Sequence, residues 1–279
     1  MSVLSVQQLR KAYASFTLEP LSFSLNPGRI TGFIGRNGAG KTTALKCMLG
    51  LAVPDGGSVH FWNRPFHGNE PEIKSRIGYV SGGVDFYARK KLRDISAVTR
   101  RFYANWDEAA YQRYLRLFAL EERKTPAELS AGMKVKYALT LALSHRAELL
   151  ILDEPTSGLD PVSRSEILDI FLELKQQGTT ILFSTHITSD LEQCADHILY
   201  LKNGVLAADC ALTDFAAAYR LVTFTERQRE LLPEDLLIGC KRNRQGYSAL
   251  IRSEARNRLP FPSEPADLET IMVHLEKSL

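Results

Sequence analysis

The chain alternates between short apolar runs and longer stretches of helical periodicity. Ile30 to Ile34, Leu149 to Leu152 and Thr179 to Phe183 are largely continuous apolar runs, as strands covered on both faces would be. Residues 162 to 176, between the last two, read as a crossover helix. Shorter strand-like runs lie at Val3 to Leu9, Phe16 to Phe23 and Ser58 to Trp62, with turns at Asn26-Pro27-Gly28 and Pro54-Asp55-Gly56-Gly57. Another, Ile77 to Val80, leads into Ser81-Gly82-Gly83. Strands alternating with helices predict an α/β fold around a parallel sheet.

Helical spacing appears first after residue 40, where Leu45, Met48 and Leu49 share a face and Gly50 suits a C-cap. Tyr111, Tyr114, Leu115 and Phe118 form a stripe within 105 to 119. Val135, Ala138, Leu139, Ala142 and Leu143 form another within 132 to 145. Stripes of this kind face a core, so residues from about 85 to 145 read as a helical insertion into the α/β domain. A polar connection, Glu121 to Glu128, joins the two helices and ends in Leu129-Ser130-Ala131-Gly132-Met133.

Ser189-Asp190-Leu191-Glu192 has capping-box spacing and predicts a short helix. His197 to Leu201, Asn203-Gly204 and Val205 to Ala207 read as a hairpin. Beyond about 210 the pattern weakens. Short strands are expected at Leu221 to Phe224, Ile238 to Lys241 and Tyr247 to Ile251, the last two joined around Asn243 to Gly246. A loop with Pro260, Pro262 and Pro265 precedes an amphipathic helix carrying Leu268, Ile271, Met272 and Leu275. This tail, 211–279, reads as a small α+β appendage without a chemical motif.

Composition narrows the class. Among 279 residues, 44% hydrophobic and 24% charged are the proportions of an ordinary soluble globular protein. No apolar run approaches the roughly 20 residues of a membrane helix, and the opening Met-Ser-Val-Leu-Ser has no charged-then-apolar leader pattern. Cys47, Cys194, Cys210 and Cys240 lie far apart without metal spacing, which favours buried reduced thiols. A net charge of +3 does not by itself imply nucleic acid, and none is expected as a partner.

Chemistry concentrates at Gly35-Arg36-Asn37-Gly38-Ala39-Gly40-Lys41-Thr42-Thr43, which fits the phosphate-binding pattern of two glycines separated by four residues and followed by Lys-Thr. Strand, glycine-rich turn and helix occur in the required order. Backbone N–H groups of such a loop surround phosphate oxygens, and the helix N-terminus adds a favourable dipole. Lys41 would meet the terminal phosphates and Thr42 would bind Mg²⁺, so the ligand is a nucleoside triphosphate.

Leu152-Asp153-Glu154-Pro155 ends an apolar strand with two carboxylates, where ligands of open parallel sheets sit. Asp153 can serve Mg²⁺ through its waters and Glu154 can polarise an attacking water. Alone, such a pair is often a solvated turn; coupled to the phosphate loop it reads as chemistry. Thr185-His186 ends the next strand. A lone histidine is commonly a core residue, but at this strand end its imidazole could reach a γ-phosphate. Tyr13, by periodicity, reads as a strand aromatic packed on the core.

Over about residues 1 to 210 this set resembles the nucleotide-binding subunit of an ATP-binding cassette (ABC) transporter. The phosphate loop, the signature segment Leu129 to Met133, the acidic strand Leu149 to Pro155, Ser157-Gly158-Leu159-Asp160 and the switch residue His186 stand in the family's order. The signature is specific to the family; the phosphate loop is not. The resemblance implies an α/β P-loop NTPase of the ABC type, with a helical subdomain, an antiparallel β subdomain and the C-terminal α+β unit. It implies two such domains dimerising head to tail around two ATP molecules. Ser130 and Gly132 of each would meet the γ-phosphate held by the other. Asp160 would lie at the seam, and Tyr13 matches the aromatic that stacks on adenine. It also implies a membrane permease as partner and a peripheral location on the cytoplasmic face of the membrane.

Two motifs depart from the family pattern. Ser81 stands where Gln is usual and would reach Mg²⁺ only through a water, and the signature has Ala131 and Met133 where Gly and Gln are usual. With Lys41, Asp153, Glu154 and His186 present, a competent ATPase is expected, and slow turnover would be in keeping with these departures. These departures and the ending Asp267 to Met272 resemble a bacterial exporter subfamily with a separate permease, acting on antibiotics, peptides, lipids or envelope precursors. The basic stretch Arg89 to Arg93 and Arg100-Arg101, with Phe86, Tyr87, Phe102 and Tyr103, reads as a solvated helix face or as the permease-docking surface. Rival readings are a soluble ABC ATPase serving a ribosome, DNA or an assembly complex, and a binding module with vestigial turnover. The first would carry two cassettes or a long coiled coil, and neither is present.

Overall fold

The computed structural model describes residues 2–81, 87–229, 232–244, 246–259 and 262–277. Phe86, Gly82, Gly83 and Pro260, which entered the expectations above, lie outside them.

A hairpin of β1 (Leu4–Tyr13) and β2 (Phe16–Leu25) leads into β3 (Ile30–Ile34) and α1 (Lys41–Met48). There follow β4 (Gly56–Phe61), β5 (Arg64–Pro65), α2 (Glu70–Ser75) and β6 (Ile77–Ser81). Then come α3 (Leu92–Thr99), α4 (Glu108–Leu117) and α5 (Ala131–Ser144), before β7 (Leu149–Asp153), α6 (Pro161–Gln176), β8 (Thr180–Thr185) and α7 (Thr188–Cys194). A second hairpin pairs β9 (His197–Lys202) with β10 (Val205–Ala211), followed by α8 (Leu212–Ala217), β11 (Tyr219–Phe224) and α9 (Glu226–Arg229). The tail closes with β12 (Ile238–Asn243), β13 (Gly246–Arg252), β14 (Glu264–Pro265) and α10 (Leu268–Leu275).

Among the described residues the strands form three sheets. The central one has the order β10-β9-β3-β8-β7-β6, parallel from β9 to β6 with β10 antiparallel at its edge. The continuous apolar runs are explained by two cores on opposite faces. Leu149 and Ile151 of β7 pack with α1 and the antiparallel β2-β1-β4-β5 sheet, whereas Leu150 and Leu152 pack toward α5 and α6. Each fully buried leucine contributes about 2 kcal/mol of apolar transfer. The stripe Tyr111, Tyr114, Leu115 and Phe118 is buried against α5, as its spacing predicts.

The tail sheet, β12-β13-β11-β14, has a small core around Val222, Phe224 and Ile251. It is not a detached appendage. Phe215, Tyr219, Leu250, Leu268 and Ile271 belong to the main core, and α10 packs on α7.

Several boundaries differ from expectation. β1 continues to Tyr13, carried by register shifts after Val6 and Leu9 that keep apolar side chains inward. Gly56 and Gly57 are in β4 and not in the preceding turn. Ser189 does not cap a helix: α7 begins at Thr188, its N-cap is Ile187, and no side chain caps it. Asp190 is instead turned into the interior, fully buried. Asn203 and Gly204 both have positive φ (49° and 82°), which suits a two-residue hairpin turn. Cys47 and Cys194 are buried, but Cys210 is only partly so and Cys240 is exposed.

Candidate active site

β3 delivers the glycine-rich loop to the carboxyl end of the central sheet. Gly38 (φ 85°) and Gly40 (φ 108°) turn the chain through conformations that side chains resist, and Gly40 is the N-cap of α1. Gly35 is required for another reason: a Cβ there would strike the Leu201 carbonyl of β9. The loop therefore ends at the start of a helix.

Lys41 is 5% exposed and lies back along the loop. Its Nζ donates to the carbonyls of Gly35 (2.7 Å) and Arg36 (3.3 Å) and pairs with Glu154 Oε1 at 3.2 Å. The other Glu154 oxygen, Oε2, is 2.8 Å from His186 Nδ1. An ammonium, a carboxylate and an imidazole thus form one chain across the ends of β7, β8 and the loop. Glu154 occupies the left-handed region (φ 51°), unusual for a glutamate and a local strain of a kind concentrated at functional sites.

Asp153, buried, receives two hydroxyls on Oδ1: Ser184 Oγ at 2.6 Å and Thr42 Oγ1 at 3.2 Å. The same Ser184 Oγ accepts from Glu154 N at 2.9 Å. Ser184 was not singled out from sequence. The available signals were its place two residues before His186 and, in the parallel register, its pairing with Asp153. Ser81 pairs with Asp153 on the other side, at the end of β6.

A cleft of about 400 Å³ brings together Tyr13, Asn37, Gly38, Lys41, Thr43 and Glu154. Tyr13 is 48% exposed, so the core packing expected from periodicity is wrong: it ends β1 paired with Phe16 of β2 but beyond the pairing with β4, which stops at Arg10, and it lines the cleft beside the loop. Ala39, by contrast, is buried under the loop.

Other residues singled out from sequence lie elsewhere in this single chain. Ser130 is the N-cap of α5, accepting from Met133 N at 3.2 Å, and Gly132 is buried where a Cβ would press on Ser163 of α6. Asp160 is the N-cap of α6, accepting from Val162 N and Ser163 N at 3.0 Å each, and the Ser163 hydroxyl together with these N–H groups holds its carboxyl below the usual range. None of the three lines the cleft.

The tail reaches the loop from the other side. Glu276, just past α10, accepts from Tyr200 OH at 2.7 Å, Lys202 Nζ donates to Leu275 O, and Leu268 N donates to Glu192 of α7. A cavity of about 540 Å³ lies between Met272, Val273 and Glu276 and the loop residues Arg36 and Asn37, with His186 at its wall.

A family model described as ABC transporter matches residues 18–157. The chain belongs to the ABC transporter family. It is an ATP-binding, ATP-hydrolysing subunit that powers a membrane transporter, and its fold is the ABC ATPase fold. Over 209 residues it is 35% identical to the bacitracin transport ATP-binding protein BcrA of Bacillus licheniformis, covering 74% of this chain and 68% of that one. It is 35% identical over 219 residues to the Nod factor export ATP-binding protein I of Burkholderia thailandensis, covering 76% and 72%. A solved ATP-binding subunit of an ABC transporter superposes with a TM-score of 0.69 at 30% identity, over 76% of this chain and 91% of the other. Among the described residues no helix is long and apolar enough to cross a membrane.

Proposed function

We propose that this ABC subunit hydrolyses ATP at the Lys41–Glu154–His186 cluster and drives export through a separate permease on the cytoplasmic face of the membrane. The observation that carries this is that Lys41, Thr42 and Glu154 line one cleft beside the phosphate loop, with His186 hydrogen-bonded to Glu154 and Asp153 to Thr42 behind it. Lys41 exchanges Glu154 and the loop carbonyls for the terminal phosphates. Glu154, so released, orients and deprotonates the attacking water, and His186 holds the γ-phosphate. Tyr13 stacks on adenine. Gly35, Asn37, Gly38, Ala39, Gly40 and Thr43 form the cradle.

The oxygen-only set of Thr42 and Asp153 is the donor chemistry that Mg²⁺ takes, with Ser81 contributing through a water. When bound, that ion offsets charge on the phosphate oxygens. Ser130, Gly132 and Asp160 lie away from the cleft in the single chain, which supports a head-to-tail dimer in which they act on the partner's ATP. We read residues 1–210, with the helical part at about 85–145, as the nucleotide-binding unit and 211–279 as an accessory unit. An antibiotic, peptide, lipid or envelope precursor as cargo is in keeping with the names of the relatives.

The docking surface for the permease is the exposed face around α3. Tyr87, Phe102 and Val98 stand out in solvent, and a groove of about 320 Å³ runs past Tyr87, Lys90, Ile95 and Val98. Tyr103 is not part of it: its ring stacks on His145 at 3.9 Å. ATP-dependent sedimentation tests the composite site. Glu154→Gln protein should shift from monomer to dimer with Mg-ATP and Ser130→Ala/Glu154→Gln protein should not; dimerisation indifferent to Ser130 would remove the composite-site reading.

A further inference from the structure

One carboxylate near the site has no part in the mechanism above. Asp190 lies on α7, four residues beyond His186, with its side chain fully buried. Its Oδ2 accepts from Thr156 Oγ1 at 2.5 Å, and the Thr185 hydroxyl lies near enough to favour its charged form. Its Oδ1 has no hydrogen-bond partner, and neither has the buried Nε of Arg164, which faces it from α6 at 3.9 Å. Burial pushes the Asp190 carboxyl up, opposed by the two hydroxyls and by Arg164.

The three partners are not scattered. Thr156 follows Glu154-Pro155 and is itself fully buried; its carbonyl accepts from Leu159 N, so it anchors the turn that runs on to Asp160. Thr185 is the last residue of β8 and precedes His186; its hydroxyl also accepts from Ile187 N at 3.0 Å, fixing the start of α7. Arg164 sits one helical turn beyond Asp160. Glu154 and His186 touch through their side chains alone, at a half-open cleft. Behind them, Asp190 adds a second tie between their two backbones, beyond the bonds of Glu154 N to Ser184.

Stability alone does not explain an acid here. A buried carboxylate with an unpaired oxygen is costly, and a well-packed apolar side chain is commonly neutral or better in such a place. We propose that Asp190 is a positioning residue for ATP hydrolysis. Its carboxylate, carried on α7, holds the Glu154 turn, through Thr156, in register with the His186 strand end, where the Thr185 hydroxyl fixes the start of α7, and registers both against the Asp160 end of α6 through Arg164. The inference rests on the roles given above to Glu154 and His186.

The test uses Thr156→Val, which removes the hydroxyl at constant shape, with Thr156→Ser as rescue, Asp190→Asn, and the Thr156→Val/Asp190→Asn double variant. Steady-state ATPase kinetics, equilibrium binding of a fluorescent ATP in EDTA and the melting temperature are measured for each. Thr156→Val is expected to lower kcat about tenfold or more, since small misplacements of reacting groups cost rates of this order or greater. KM and nucleotide binding should stay within about twofold, Thr156→Ser should recover the rate, and the double variant should be no slower than the slower single one. Wild-type kcat in Thr156→Val, or a loss that Thr156→Ser does not rescue, overturns the proposal. Glu154→Gln is run alongside. If it retains turnover, the assignment beneath fails and this proposal with it; if it is inactive while Thr156→Val is normal, only the proposal falls.

Discussion

Replacing Glu154 by Gln should abolish turnover and tighten ATP binding, and the two effects come from different oxygens. Gln keeps the size and can accept from His186 as Oε2 does, so the imidazole stays in place. What is lost is charge. Removing a general base costs on the order of 10²–10⁴ in rate, so kcat should fall at least 100-fold. In the nucleotide-free site Oε1 holds Lys41 at 3.2 Å, with the lysine 5% and the glutamate 22% exposed. Two charges at this separation attract by about 5 kcal/mol at an effective dielectric of 20. Desolvation and the remaining loop carbonyls offset most of that, leaving about 1 kcal/mol that ATP must displace. Its removal should lower the Kd for ATP about fivefold. Phosphate release under saturating Mg-ATP measures the first effect. Titration of a fluorescent ATP in EDTA, where no turnover occurs, measures the second. A Glu154→Gln rate within threefold of wild type would refute Glu154 as base; unchanged affinity would refute the exchange of partners by Lys41.

Other consequences follow from the same geometry. Ser184→Ala removes the hydroxyl shared by Asp153 and the Glu154 N–H, and should cost about 1–3 kcal/mol of stability in urea titrations, with a lower kcat. Tyr13→Ala should raise KM for ATP several-fold and Tyr13→Phe should not, if the exposed ring stacks on a base at about 1–3 kcal/mol. Glu276→Ala unties the tail from Tyr200 and should lower the melting temperature, at about 1 kcal/mol for the bond; an unchanged value would mean that this contact does not hold the tail. Burial lowers the His145 pKa from 6.5 to about 4. The unfolded chain therefore takes up a proton first, and stability present above pH 6.5 is lost as pH falls toward 4. At pH 5 this amounts to about 2 kcal/mol, which His145→Phe should remove from the difference between urea midpoints at pH 7 and 5.

What the sequence made legible was whatever repeats with a period or falls at a fixed spacing. Continuous apolar runs mark β3 and β7 because both faces are covered. The phosphate loop shows because Gly38 and Gly40 need positive φ and Gly35 meets a carbonyl. Ser184 and Asp190 were passed over because their importance depends on what lies across the ladder or across a helix contact, which spacing does not carry. The Ser189 box misled because α7 starts one residue earlier, at Thr188, and the acid of the box, Glu192, accepts from Leu268 N of the tail. Tyr13 misled in the opposite sense, since alternation predicts a buried ring only while the strand has neighbours on both sides, and β1 has lost β4 after Arg10. The tail seemed detached because its strands are short, yet α10 shares the main core.

The central claim, that this ATPase drives a membrane exporter, is tested most directly by what it holds when hydrolysis is arrested. Tagged Glu154→Gln protein would be expressed in its native host, extracted from membranes in detergent with Mg-ATP, and its companions identified. The account predicts a polytopic membrane protein in stoichiometric amount. Ribosomal, DNA-bound or soluble companions without any membrane protein would contradict it.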